Sequence, residues 1–174
     1  GDGTINFAEA ADGVTLTGTA QPGSTVDVIF NGVTRAATVD AMGNWTAGFL
    51  ASEIPSGETQ ASVTAVATDA AGHMATATGT VDVDTLVNTL GYTSTPGGTD
   101  GVINATEAAS GLVVSGVTEP GSTVVVKLGG ATTTAVVAAD GTWTATFGSG
   151  DIPQGTYTTE MVATATDAAG NTRD

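Results

Sequence analysis

Gly43-Asn44-Trp45-Thr46-Ala47-Gly48-Phe49 is the stretch on which the fold turns. Trp45, Ala47 and Phe49 alternate with polar or small residues, the period of two that sends one face of an extended strand into a core and the other toward water. The pattern returns 98 residues later as Gly141-Thr142-Trp143-Thr144-Ala145-Thr146-Phe147. Extending that offset outward needs no gap. The chain has 174 residues, so an offset of 98 leaves 76 positions to compare, and 35 of them are identical. Asp2-Gly3-x-Ile5-Asn6-x-x-Glu9-Ala10-Ala11 returns as Asp100-Gly101-x-Ile103-Asn104-x-x-Glu107-Ala108-Ala109. Pro22-Gly23-Ser24-Thr25-Val26 returns as Pro120-Gly121-Ser122-Thr123-Val124, and Ala67-Thr68-Asp69-Ala70-Ala71-Gly72 as Ala165-Thr166-Asp167-Ala168-Ala169-Gly170. A fixed period of this kind means one module written twice.

Within a copy, short runs rich in Val, Thr and Ala are bounded by Gly, Pro, Asn and Asp at a spacing of roughly 8–12 residues, the mark of a sandwich or barrel. Sustained helical periodicity is absent from the pattern. The reading for the first copy is strands over Val14 to Ala20, Thr25 to Phe30, Thr34 to Val39, Trp45 to Leu50, Gln60 to Thr68 and Met74 to Val83. Asn31-Gly32 and Pro22-Gly23 supply the backbone conformations that tight turns need. The second copy is expected to repeat this, preceded by an extra strand at about Leu86 to Thr93. The expected domains are therefore residues 1–84, lacking a first strand, and 85–174, lacking a last one, each one strand short of seven. Either the chain is a window on a longer array, or a neighbour supplies the strand by strand addition. Asp82 to Asn88 runs straight from one copy into the next, which favours the window.

The charge is lopsided: 18 Asp plus Glu stand against 3 Lys plus Arg, a formal net charge of -15. A chain so poor in base cannot grip a phosphate backbone or an anionic membrane surface, so nucleic acid and lipid headgroups are excluded as partners. With 40% hydrophobic residues it does not have the composition of a disordered segment. Cysteine is absent, so disulfides and thiolate metal sites are excluded, and any staple must come from packing or from a hard cation held by oxygen. No apolar run approaches ~18 residues and no basic leader precedes one, so neither membrane insertion nor an export signal is read from the chain. Aromatics are only 5%, which leaves Val, Ile, Leu and Ala to build the core.

Taken in order, Asp-Gly-x-Ile-Asn-x-x-Glu-Ala, Pro-Gly-Ser-Thr-Val, Gly-x-Trp-Thr, Ile-Pro-x-Gly, Ala-Thr-Asp-Ala-Ala-Gly and Val-Asp-x-Asp-Thr resemble the bacterial immunoglobulin-like repeats of giant type I-secreted adhesins, the RTX and biofilm-associated adhesins. The resemblance spans the whole chain. It implies tandem all-β immunoglobulin-like sandwiches of about seven strands in Greek-key order, outside the cell or on the bacterial surface. It also implies structural Ca²⁺ near domain junctions, and a spacer that projects an adhesive domain for cell adhesion or biofilm formation. Neighbouring repeats of the same chain would be the partners, with host or surface ligands reached through other domains.

Asp100-Gly101-Val102-Ile103-Asn104-Ala105-Thr106-Glu107 also looks like the second half of an EF-hand loop, with Asp100, Asn104 and Glu107 as oxygen donors. Upstream the pattern fails, because Pro96 and Gly98 stand where the first acidic ligands belong. Further oxygens must come from elsewhere. Strand parity puts Asp2, Asn6, Glu9, Asp82 and Asp84 at the far pole of the first copy, and Glu119, Asp140 and Asp167 at the near pole of the second. Like charges so gathered repel unless a cation intervenes, so these residues are the expected metal ligands. The competing reading makes them turn caps and solvated surface.

Other candidates are plainer. His73 aligns with Asn171 and reads as a turn residue; Trp45 and Trp143 read as core anchors rather than sugar platforms. Threonine alternation is what half-exposed strands prefer and does not argue for ice binding. With no Cys and one unrepeated His, no nucleophile–base pair recurs in both copies, and the carboxylates fall in turns without a cleft, so an enzyme is not expected. The alternatives are a ligand-binding adhesive module and a self-assembling fibre subunit completed by a neighbour's strand. Loops that repeat between copies favour the spacer.

Overall fold

The computed structural model describes residues 3–94, 96–97 and 100–174. The chain divides into two compact units, Gly1–Leu86 and Val87–Asp174.

Unit 1 is built from β1 (Thr4–Ile5), a short helix α1 (Phe7–Asp12), β2 (Val14–Thr19), β3 (Thr25–Phe30), β4 (Val33–Thr38), β5 (Asn44–Phe49), β6 (Glu58–Thr68) and β7 (Met74–Asp84). One sheet has the order β1-β7-β6-β3-β4; the other is the pair β2-β5. The alternation seen in the sequence is the alternation of burial. Val26, Val28 and Phe30 of β3 are buried against Trp45, Ala47 and Phe49 of β5, and the rings of Phe30 and Phe49 lie 5.2 Å apart. The hairpin β3–β4 closes on Asn31 and Gly32 at φ 45° and 83°, a conformation that a β-branched residue would resist.

Unit 2 contains β8 (Leu90–Tyr92), α2 (Ala105–Ser110), β9 (Leu112–Thr118), β10 (Thr123–Leu128), β11 (Ala131–Thr134), β12 (Val136–Val137), β13 (Thr142–Phe147), β14 (Met161–Thr166) and β15 (Thr172–Arg173). Its sheets are β11-β10-β14-β15 and β12-β13-β9-β8. Val124, Val126 and Leu128 pack with Trp143, Ala145 and Phe147, and Tyr92 meets Trp143 edge to face at 5.6 Å. Each unit is an all-β sandwich of the immunoglobulin-like class.

Three expectations need correction. The extra strand forms only over Leu90–Tyr92, because just three residues pair with β9. Residues 156–160 form no strand, although their counterparts in the first copy do. Two six-residue helices interrupt the all-β pattern. They are too short to register as periodicity, but Asn6-x-x-Glu9 and Asn104-x-x-Glu107 are capping boxes. The Asn side chain accepts from the Glu backbone N–H, and the Glu carboxylate accepts from the Asn N–H.

Candidate functional site

The acidic residues gather at the strand ends, and the ladders say which ends. In unit 1, β1 runs parallel to β7 with Thr4 opposite Asp82 and Ile5 opposite Val83. One step further lie Asn6 and Asp84, so the α1 capping box and the last carboxylate of β7 share a pole. Asp82 accepts a hydrogen bond from Gln60 Nε2 at 2.8 Å. Asp84 stands opposite Glu58, the first residue of β6. Two carboxylates facing each other across an antiparallel ladder are a destabilising pair at neutral pH. Beyond Asp84, Thr85 is tied down: its hydroxyl accepts from Gly57 N at 2.7 Å and its N–H reaches Gly57 O at 3.3 Å. Asp2 lies outside the described residues.

In unit 2 the register sets Leu90 opposite Thr118, Val117 opposite Thr142 and Thr123 opposite Thr166. The turns carrying Glu119, Asp140 and Asp167 therefore share the pole at which the chain enters. Glu119 accepts from Asn88 N at 3.0 Å, and Arg173 donates to the carbonyls of Val87 and Asn88 at 3.1 and 2.8 Å. Asp140 accepts from both the N–H and the hydroxyl of Thr142, which with its hydroxyl bond leading holds its carboxyl below the ordinary 3.8. Asp167 is buried and takes two bonds from Asn171, at 2.8 Å each from backbone N and Nδ2.

Asp69 plays the same part in the first copy. It accepts from the N–H groups of Ala71 and His73, and His73 Nδ1 lies 2.9 Å from its other oxygen. The histidine is thus a turn residue. The remaining candidates sit elsewhere in unit 2: Asp100 accepts from Val102 N at 3.0 Å, while Asn104 and Glu107 form the α2 capping box. Gly98, invoked against a full EF-hand loop, is outside the described residues.

The structure thus collects Asn6, Glu9, Asp82 and Asp84 at one pole of unit 1, and Glu119, Asp140 and Asp167 at one pole of unit 2; Asp100, Asn104 and Glu107 fall in neither group. Several of these carboxylates cap turns or helices, yet an ionised carboxylate offers about four lone-pair directions, so a cap does not exhaust it. Oxygen donors of this kind suit Ca²⁺, which takes about 6–8 of them. Glu58 was not singled out from the sequence. It aligns with Thr156 and stands beside a turn, so only the ladder reveals that it faces Asp84.

No family model matches the chain, and no curated protein sequence matches it. Solved structures do. The chain is 35% identical, over 98% of its length, to a Ca²⁺-stabilised adhesin that helps an Antarctic bacterium reach out and bind ice, with a TM-score of 0.57. It is 30% identical over 99% of its length, with a TM-score of 0.58, to a structure addressing host cell surface retention of a 1.5-MDa bacterial ice-binding adhesin. It spans 43% and 58% of those two structures' own length. A bacterial immunoglobulin-like domain from the M. primoryensis ice-binding adhesin is 34% identical, with 86% of that domain and 48% of this chain covered and a TM-score of 0.37. On the first two identities, over nearly its whole length, the chain is similar to segments of large bacterial ice-binding adhesins.

Proposed function

We propose that the chain is a non-catalytic extender segment of a bacterial surface adhesin, a pair of spacer repeats that hold an adhesive region away from the cell. The observation that carries this is the repeat: the two copies preserve core positions and turn motifs alike, whereas a ligand-binding site is usually peculiar to one copy. The 35% identity to a Ca²⁺-stabilised adhesin supports it. No helix among the described residues is long and apolar enough to cross a membrane. Neighbouring repeats of the same chain are the proposed partners, and the extracellular bacterial surface is the proposed location.

We also propose that Ca²⁺ rigidifies the passage from one repeat to the next. Thr85 is fixed to Gly57 of unit 1 and Val87 is buried in the core of unit 2, which leaves Leu86 between the two anchors. Unit 1 carries Asp82, Asp84 and Glu58 at the pole where its last strand ends, and unit 2 carries Glu119, Asp140 and Asp167 at the pole where its chain enters, far more acid than Arg173 alone offsets. A divalent cation would relieve that repulsion and couple its binding to folding. Calorimetry in Ca²⁺ and in chelator, with small-angle scattering on the same samples, tests this reading. Calcium should bind, stabilise and stiffen the chain; at 100 times Kd one site contributes about 2.7 kcal/mol. No binding or stabilisation at millimolar Ca²⁺ would refute the calcium proposal.

A further inference from the structure

Asn31 is, among the described residues, the only non-glycine with a positive φ. It opens the two-residue loop between Phe30 and Val33, which face each other as the last pair of the β3–β4 ladder. Gly32 follows it, and both residues are exposed. Asn-Gly occurs once in the chain: Asn6, Asn44, Asn88, Asn104 and Asn171 are each followed by a residue that carries a side chain. The counterpart loop of unit 2 is Gly129-Gly130, between the paired Leu128 and Ala131, and it has no side-chain amide.

An asparagine before glycine carries its own reaction partner. With no Cβ on the next residue, the glycine nitrogen approaches the asparagine Cγ unhindered and closes a succinimide ring. The new bond joins Gly32 N to Asn31 Cγ; the Cγ–Nδ2 bond breaks, and the side-chain nitrogen leaves as ammonia with the proton from Gly32 N. Water then opens the ring, and nothing is oxidised or reduced. Opening at Cγ gives aspartate with the main chain unchanged. Opening at the backbone carbonyl gives isoaspartate, whose main chain runs through the former side chain and is one methylene longer.

The fold governs when this reaction can start. Positive φ at both loop residues, 45° and 83°, marks the mirror image of a type I turn, whose first central residue has ψ of about 30°. At that angle the tetrahedral Cα sets Gly32 N nearly anti to Asn31 Cβ, away from Cγ. Ring closure needs the two nearly eclipsed, so the loop has to open first. Opening it disturbs the Phe30–Val33 pair and the bond from Asn31 N to Ser62 O at 3.0 Å.

We propose that Asn31 is a site of spontaneous deamidation, closed while the β3–β4 hairpin is formed and open when the hairpin frays or unit 1 unfolds. Damage at this turn falls on unit 1 and spares unit 2. Aspartate at position 31 keeps the turn, since Asp-Gly suits the same conformation. Isoaspartate lengthens a loop whose length sets the register of β3 against β4.

The test incubates the full chain in native buffer and in concentrated guanidinium chloride at one mildly alkaline pH. A synthetic peptide of residues 26–37, a lone hairpin that is marginally stable at best in water, is kept in the same native buffer as the open reference. Peptide mapping follows each asparagine through the mass gain of exchanging its side-chain NH2 for OH. In guanidinium, Asn31 should react first among the asparagines of the chain. In native buffer it should react at least ~30-fold more slowly than in the peptide, which converts to about 2 kcal/mol for opening the loop. A smaller ratio, or an unfolded chain in which Asn31 is no faster than Asn6 or Asn171, overturns the proposal. The aspartate and isoaspartate chains are then separated by chromatography, and amide exchange is read on each. Val33–Thr38 should lose protection in the isoaspartate chain and keep it in the aspartate chain; equal protection in both overturns the role given to the turn.

Discussion

Gly18 and Gly116 lie beneath the indoles of Trp45 and Trp143, and a Cβ at either position would overlap the ring. Each tryptophan is buried because a glycine on the paired strand leaves room for it. Gly18→Ala and Gly116→Ala should each cost about 1–3 kcal/mol, measurable as a lowered midpoint in denaturant followed by tryptophan fluorescence. A second prediction concerns the turn aspartates. Asp40, held mainly by the N–H of Asn44, Asp69, held mainly by the side chain of His73, and Asp140, held mainly by the hydroxyl of Thr142, all have carboxyls below the ordinary 3.8. A depressed folded-state value contributes stability above the unfolded-state value, and that stability is lost as pH falls through the folded one. NMR titration should show midpoints below 3.8 for all three, and Asp→Asn at each should flatten the acid limb of stability below that pH. The tryptophans were legible in the sequence, since alternation alone puts them inside. The aspartates were less so, because capping an N–H and holding a cation require the same oxygen, and only the hydrogen bonds show how much of that oxygen is already engaged.

At the scale of elements, α1 and α2 show how short structure escapes periodicity. Asn-x-x-Glu can close a capping box or supply two ligands to a cation, and here it closes the box in both copies. Asn104→Ala should cost about 1 kcal/mol, read by thermal unfolding. The contrast between β6 and its counterpart shows the opposite limit. Thr156-Tyr157-Thr158-Thr159 is richer in strand formers than Glu58-Thr59-Gln60-Ala61, yet the second forms a strand and the first does not. Strand formation at these positions is decided by the neighbour, not by propensity. Hydrogen exchange on the chain alone should find the amides of 58–62 slow and those of 156–160 fast, by a factor of at least ~100 if the β7 ladder carries about 3 kcal/mol of local stability.

For the whole molecule, the period of 98 residues is readable without coordinates, and with it the two sandwiches and the match between their cores. Which acids meet depends on register. The net charge of -15 has its own consequence: self-repulsion should make the chain less stable at low ionic strength. Sodium chloride should raise the melting temperature gradually by screening, while calcium at the same ionic strength should raise it further, a comparison that separates a bound ion from a diffuse one. The parallel pairing of β1 with β7 bears on a different property. In the proposed spacer role unit 1 would carry tension, and a load applied between Thr4 of β1 and Asp84 of β7 would act along these two strands. Because these strands run in the same direction, tension between those points slides one along the other, and the bonds joining them must yield together instead of one at a time. The shortest ladder of the sheet is thereby set where it meets the load in shear.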